Sequence, residues 1–568
     1  MIILGISIGH DASACLIING AIVADVAEER FTRIKHDASP PCMAISYCLK
    51  EASITSDQID VIAVGGQYMP IGMERYFSLS PEQEINIAAL RPVTAKARDL
   101  LLKKPSLDLP IYFTRFSLAK ECKFITFEHH YCHAAAAFFT RGRRDQCIVL
   151  TMDGIGDGTS VAVWKGQENT INLISKWGQD ASFGWFYGSV TEALGWQHGD
   201  GEGTTMGLAP YGDARIVGDR LNKFHPVFSE GNLVIPHNFG QASFVNDHGN
   251  YHWHFSEASE IKKIVEECGP KNVAAKAQEV LENQVLKFVQ YWANTLGIRR
   301  LACGGGIFLN VKLNQRIWHD ARLEEHWVYP NPGDAGLAVG AALAAWHQLE
   351  EPPQTMKLEH LYYGPAYSNE EIRLILDERR LHYRELDEPS LKAAELLANN
   401  KIVGWFQGRM EAGPRALGNR SILMSANRAE NKETLNARVK FRQSFRPFCP
   451  ALLFEKKEDY LEHCREEAFM ITAFDVTSQK HGSIPAVVHI DGSLRPQTVR
   501  HETNARFHEL IKAFGDLTGE YLVLSTSFNI RNEPIVCHPR EAIKCFFDTG
   551  IDALIIGNFI LEKSNHPT

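Results

Sequence analysis

The chain has twelve cysteines but no Cys-x-x-Cys pair. That excludes a zinc ribbon and a thioredoxin-type dithiol. No apolar run approaches the length of a membrane span. The start, MIILGISIGHDASACLIING, is apolar but has no basic segment before it, and His10 and Asp11 interrupt it. It is therefore not expected to be a secretory signal. There is no excess of positive charge either. A formal net charge of −9 argues against a general coat for nucleic acid or for anionic membranes. Scattered thiols without a signal segment point to a reducing, cytoplasmic compartment. What is present is ordinary: 45% hydrophobic and 22% charged residues in a chain of 568. At ~150 residues per domain that allows three to four units.

Against that acidic background, one stretch is strongly basic. Residues 401–450 hold ten Lys/Arg (Lys401, Arg409, Arg415, Arg420, Arg428, Lys432, Arg438, Lys440, Arg442, Arg446) and three acids, a local charge of +7. The cations are interleaved with aromatics and turn residues, as in Gly413–Pro414–Arg415 and Phe445–Arg446–Pro447–Phe448. An Arg beside a rigid turn has its planar fork pre-aimed, which suits phosphate or carboxylate. The stretch reads as a nucleotide polyphosphate site; a basic surface patch is the alternative.

Earlier in the chain a pattern repeats. Ile2–Ile8, Ala12–Ile18 and Ala21–Ala27 read as strands, with a turn at Asn19–Gly20. Cys147–Asp153, Thr159–Lys165 and Thr170–Trp177 read the same way. Each half places a loop with an acid between its first two strands: Gly9–His10–Asp11 and Asp153–Gly154–Ile155–Gly156–Asp157. Two related lobes with loops facing a common cleft are expected. Amphipathic helix candidates lie around 81–103. His129 and His133, at i and i+4 before Ala134–Ala137, suit two ligands of one metal on one helix face, or are a coincidence of spacing. Residues 225–256, rich in His, Asn and aromatics, read as an insert or lid. Val273–Gly297 has a buried-face period. Leu301–Cys303, then Gly304–Gly305–Gly306, then a helix carrying Asn310 and Asn314, form a phosphate-cradling order of strand, glycines and helix. Residues 348–358, with Pro352–Pro353, read as a linker. Beyond it, helices at 369–380 and 389–400 alternate with strands at 402–406 and 521–525, and the unit ends in Ile551–Leu561.

GRMEAGPRALGNRS (408–421) together with VKFRQSFRPFCP (439–450) resembles the O-carbamoyltransferase family of antibiotic and nodulation-factor biosynthesis. Further blocks are 183–212, His489–Gln497 and Leu524–Asn529, so the resemblance covers nearly the whole chain. It departs at Thr204, where members carry Lys, and at Ser525, where they carry Asn. The resemblance implies an α/β fold. Residues 1–350 would be a two-lobed, actin/sugar-kinase/Hsp70-like (Kae1-like) domain with a metal site, and 359–568 a YrdC-like α/β domain that forms carbamoyl-adenylate. It also implies that His129 and His133 hold a divalent metal, iron(II) being favoured, with Asp153 and Asp334 as the matching acids. Two imidazoles and two carboxylates suit a 2+ ion but do not choose iron over zinc or manganese. Asp153 as a turn cap and Asp334 as the N-cap of a helix 337–347 are the structural alternatives.

Carbamate has a poor leaving group, whereas a mixed anhydride with AMP has a stabilised phosphate. By resemblance Arg415, Lys440, Arg446 and Arg495, with Ser527 and Asn529, hold ATP and carbamoyl phosphate; Gly304, Gly305 and Asn310 are further nucleotide contacts. His10 is the candidate base for the acceptor hydroxyl, with a structural histidine as its alternative. The expected acceptor is a small molecule with a free hydroxyl, of sugar, aminocyclitol, alkaloid or polyketide type, with no nucleic acid and no membrane partner. A threonylcarbamoyl-type transferase acting on RNA is the competing expectation; it would need a basic docking surface. A nucleotide-sensing scaffold without enzyme activity is a third.

Overall fold

The computed structural model describes residues 1–66, 116–234, 255–350 and 356–563, and the backbone of strands 77–78, 243–247 and 250–254. The helix candidates at 81–103 lie outside the described residues, as do Pro352–Pro353 and, within the 225–256 insert, residues 235–242 and 248–249. Two compact units result. The first comprises Met1–Gln179, Ile298–Ile307 and Glu325–Leu358; the second comprises Asp180–Gly297, Phe308–Glu324 and Glu359–Thr568. Chain order put the division near 350–359, and the compact units divide the chain differently. The reason is visible in helix Val311–Asp320. Asn314 donates to the Ile471 carbonyl at 2.7 Å, Gln315 to Asp475 at 2.8 Å, and Lys312 pairs with Asp491 at 3.0 Å.

The first unit is a mixed α/β structure built on two sheets of one plan. Strands β1 (Ile2–Ser7), β2 (Ser13–Ile18), β3 (Ala21–Ala27), β4 (Val61–Gly65) and β5 (Lys123–Phe127) lie in the order β3-β2-β1-β4-β5. Strands β6 (Cys147–Gly156), β7 (Thr159–Gln167), β8 (Thr170–Trp177), β9 (Arg300–Gly304) and β10 (Glu325–Val328) lie in the order β8-β7-β6-β9-β10. In each sheet the first three strands form an antiparallel meander and the last two pair parallel to the first. The sequence repeat is thus a repeat of topology. One detail differs from expectation. The segment after Asp153 is not a free glycine loop, because β6 resumes beyond a bulge and pairs Gly156 with Thr159.

Two helices of the first unit, α1 (His129–Phe139) and α2 (Leu337–Leu349), pack closely because both are rich in small residues. A Cβ on Gly340 would stand 2.0 Å from the Cys132 carbonyl oxygen, and one on Gly5 2.0 Å from that of Ala338. These contacts fix α1, and with it His129 and His133, to about the tolerance of a packed core.

The second unit contains an eight-stranded mixed sheet. Its strands are β11 (Arg384–Glu385), β12 (Val403–Phe406), β13 (Arg420–Ser425), β14 (Cys449–Leu453), β15 (Gln497–Val499), β16 (Leu522–Ser527), β17 (Ala553–Ile556) and β18 (Phe559–Glu562). The order is β11-β18-β17-β12-β13-β16-β14-β15. Helix and strand periods in the sequence match most of these elements, including helices Asn369–Glu378 and Pro389–Ala398. Ile551–Leu561 proves to be a hairpin, β17 and β18, turning at Gly557. Apolar clusters cover both faces of the sheet. No described helix is long and apolar enough to cross a membrane.

Candidate functional site

In the first unit α1 starts where Glu128 caps it, accepting from the Tyr131 amide at 2.7 Å. The His129 amide donates to Asp157 at 2.8 Å. One turn apart, the two imidazoles meet: His129 Nε2 and His133 Nε2 are 3.1 Å apart. Asp153 Oδ2 lies 3.4 Å from His129 Nε2 and 3.1 Å from His133 Nε2. Asp334 Oδ1 lies 3.5 and 3.7 Å from the same two atoms. One donor atom from each residue falls within 4.8 Å of all the others. Asp334 does not cap α2, whose N-cap is Gly336. Nor is Asp153 only a turn cap: Oδ1 accepts the Gly154 amide while Oδ2 faces the histidines.

Two imidazole nitrogens at contact distance need a proton or a cation between them. The facing carboxylates supply the charge that holds one, so the donor set fits a divalent ion. Burial works to raise Asp153, but the bonds from His129 and His133 outweigh it and hold its carboxyl well below the usual range. Burial pulls His133 down, yet Asp153 and Asp334 lift it to about 9. His130, between His129 and His133 in sequence, is structural: it bonds Thr151 and the Thr159 carbonyl, each at 2.9 Å.

His10 stands at the rim of this set, its side chain 65% exposed. Its Nε2 is 3.1 Å from Asp334 Oδ2 and its Nδ1 3.0 Å from Asp11 Oδ2. Asp334 is the main cause that lifts the imidazole to about 10, and Asp11 adds to it. Asp11 in turn bonds His36 Nδ1 at 2.7 Å. Asp11 is the acid that the strand pattern places in the first loop, whereas nothing in the sequence marks His36. Asp11 sits next to His10 in the first cleft loop and takes a left-handed φ of 61°, a conformation that Asp tolerates better than most residues.

The glycine triplet has a packing role. A Cβ on Gly304 would stand 2.7 Å from the His133 carbonyl oxygen, and one on Gly306 2.9 Å from Asp153 Oδ1. Gly305 has φ +101° and touches Met152. Gly156, which lay unremarked in its loop, is as close: a Cβ there would meet the His129 ring at 2.1 Å. Asn310 falls in the second unit. It caps helix Val311–Asp320 through the Leu313 amide and forms a reciprocal amide pair with Gln278. Gly304, Gly305 and Asn310 therefore do not form one cradle within a unit.

In the second unit the cations of 401–450 sort into two kinds. Arg409 spends its guanidinium on the carbonyls of Tyr363 and Gly364. Arg420, fully buried, donates to carbonyls of Pro365, Gln407, Gly408 and Asn419 and lies 3.7 Å over the Phe406 ring. These two are structural. Arg415, Arg442 and Arg446 instead gather with Arg495. Burial lowers Arg415 to about 9, and Arg495 and Arg446 add to the effect. Burial likewise lowers Arg442 to about 9, with help from Arg446 and Arg495. Arg446 is lowered by burial, Arg495 and Arg531, with Asp200 opposing. Arg495 Nε and Nη2 point at Cys449 Sγ at 2.9 and 2.7 Å. Arg415 Nε is buried with no partner among the described residues. Guanidinium groups gathered in this way suit an anion among them. Arg442 was counted in the basic stretch but not chosen. Arg531 lies in a segment that carried no signal.

Lys440, Ser527 and Asn529 come together beside β16. The Lys440 ammonium donates to Ser527 O (2.7 Å) and Oγ (3.3 Å) and to Asn529 O (3.0 Å) and Oδ1 (2.7 Å). Three donors against four acceptors make Lys440 a tie for the strand end as well as a local positive charge. Ser525 and Thr204, the two departures from the family pattern, are both buried.

A family model described as the carbamoyltransferase N-terminus matches residues 2–343, and one described as the carbamoyltransferase C-terminus matches 394–563. The chain belongs to the carbamoyltransferase family. Nodulation protein NolNO of Sinorhizobium fredii is 32% identical over 98% of this chain and 79% of its own length. Nodulation protein NolO of Bradyrhizobium diazoefficiens is 34% identical over 77% and 78%. An uncharacterized protein of Synechocystis is 34% identical over 100% and 97%. Membership makes this carbamoyltransferase an enzyme; the non-enzymatic scaffold is set aside.

Proposed function

We propose that this carbamoyltransferase is ATP-dependent and works in two steps, with a hydroxyl of a small molecule as final acceptor. The observation that carries the proposal is the buried cluster of Arg415, Arg442 and Arg446 around Arg495, in which Arg415 Nε has no partner among the described residues; burial first, and then the neighbouring guanidinium charges, lower the first three, and such a cluster suits a polyanion. In the first step, water hydrolyses carbamoyl phosphate to carbamate and inorganic phosphate, and a carbamate oxygen attacks the α-phosphorus of ATP. Carbamoyl-adenylate forms and pyrophosphate leaves. The arginines hold the phosphates and stabilise the charge that develops, while Lys440, Ser527 and Asn529 line the neighbouring strand end. On this proposal the C-terminal residues form a YrdC-like domain.

In the second step the acceptor hydroxyl attacks the carbamoyl carbon and AMP leaves. The first unit, a Kae1-like domain in this proposal, provides the chemistry. His129, His133, Asp153 and Asp334 would hold a divalent metal, iron(II) being our preference. Such an ion supplies Lewis-acid polarisation at the carbamoyl group. His10 takes the acceptor's proton. Raised to about 10 beside Asp334, it is a poor acceptor at neutral pH; with Asp334 committed to a cation, the charge that raises it is withdrawn. The co-substrates are cytoplasmic metabolites, so the proposal places the enzyme there. The acceptor is of sugar, aminocyclitol, alkaloid or polyketide type. Transfer to RNA is not favoured, given nodulation proteins among the relatives and a net charge of −9.

Incubating the protein with ATP and carbamoyl phosphate should release pyrophosphate without any acceptor. Adding small polyols, or transfer RNA in a parallel reaction, then tests acceptor class by mass. A folded, metal-loaded protein that releases no pyrophosphate would overturn the proposal.

A further inference from the structure

Glu411 is among the most buried acids of the second unit, at 2% exposure, and the proposed chemistry does not use it. Its Oε1 accepts three backbone amides: Leu417 at 2.6 Å, Asn419 at 2.8 Å and Arg420 at 3.2 Å. Its Oε2 is buried with no partner among the described residues. A buried carboxylate is costly unless bonded, and here the bonds go to the backbone of a loop six residues on. That closes Ala412–Ala416 into a ring whose crest is Gly413–Pro414–Arg415. The far side is also pinned. The Leu417 carbonyl accepts from Tyr362 Oη and Gln497 Nε2, each at 2.8 Å. Gly418, at φ +100°, packs so closely on Phe507 that a Cβ would stand 2.2 Å from its ring. Arg420, fully buried beside this ring, supplies the compensating positive charge.

The crest is different. Arg415 Nε is buried with no partner among the described residues, and no carboxylate is among the charges that act on its guanidinium. Among the described residues no side-chain bond aims it, so its direction is set by the backbone beneath. We infer that Glu411 is a positioning residue for Arg415: its carboxylate templates the loop that presents this guanidinium to the anion. The inference rests on the adenylation proposal above.

The test is a double-mutant comparison of pyrophosphate release from ATP and carbamoyl phosphate. Glu411→Gln keeps an acceptor oxygen but loses the charge, and charge-assisted bonds are about twice as strong as neutral ones. Its kcat should fall about tenfold or more, with the KM for ATP within about threefold, the pattern of a lost transition-state contact. In an Arg415→Ala background the same change should cost no more than about twofold, since Glu411 would then have nothing to position. Glu411→Ala is the harsher variant; should it fail to fold, Glu411→Gln decides. An unchanged kcat in folded Glu411→Gln, or an equal fall in both backgrounds, would overturn the inference. Absence of pyrophosphate from the wild-type protein would instead overturn the proposal beneath it.

Discussion

The two units hold polar clusters of opposite character. In the first, two carboxylates face two imidazoles, and all four side chains have most of their surface buried. In the second, arginines face arginines, with Asp200 the one acid among the causes that shift them. One cluster asks for a cation and the other for an anion. The first cluster can pair its imidazoles with its own carboxylates or hold a cation between them, whereas in the second Arg415 Nε has no partner among the described residues. The comparison also separates the cations that the proposal uses from their neighbours. Arg409 and Arg420 are as basic as Arg415, but backbone carbonyls already satisfy them.

The largest effect should come from breaking the cation-seeking cluster. His129→Ala or Asp334→Ala should abolish both the bound divalent ion and carbamoyl transfer, while pyrophosphate release continues. Elemental analysis alongside the two half-reactions checks this; full metal content in both variants would show the ligand set to be wrong. Next, His10→Asn should lower transfer from preformed carbamoyl-adenylate by about 10²–10⁴-fold, the usual worth of a general base. Metal content and adenylation should hold. A drop in melting temperature with both half-reactions falling together would mark His10 as structural instead.

The anion-seeking cluster should be slightly less sensitive to one loss, because several arginines share the load. Arg415→Ala should cut pyrophosphate release by about 10²–10³-fold with no change in metal content or melting temperature. Lys440→Ala should cut it too, but with a lower melting temperature, since Lys440 ties Ser527 and Asn529.

The smallest effect is a control outside both clusters. Asp25, on β3, is raised to about 7 by burial alone. Between about pH 4 and 7 the folded state keeps this proton and the unfolded state does not, so stability falls as pH rises through that window. Asp25→Asn should therefore stabilise the protein above pH 7, by at most about 4 kcal/mol, and the gain should vanish near pH 4. Melting curves at both ends check it.

The repeated meander was legible because strand alternation and turn residues are local. So was the basic stretch, and the His129/His133 spacing, which one helix turn dictates. The division of labour inside that stretch was not. Whether an Arg is spent on carbonyls or left to an anion depends on residues such as Pro365 and Arg495, far away in sequence. The extension of β6 past Asp153 was hidden because Gly154 and Gly156 read as loop, while Gly156 is small to admit the His129 ring. Asn310 misled for a related reason: its position before a helix is equally that of a cap, and Gln278 takes its remaining bonds. Glu411 carried no signal beyond its neighbours, since three amides six to nine residues on reveal its role.

The central claim is that activation and transfer use separate chemistry in separate units. It is tested most directly by one assay: pyrophosphate released from ATP and carbamoyl phosphate by folded Asp334→Ala, beside wild type. The account predicts release within about threefold of wild type, with no carbamoylated acceptor formed. Pyrophosphate release that vanished with the transfer would contradict it.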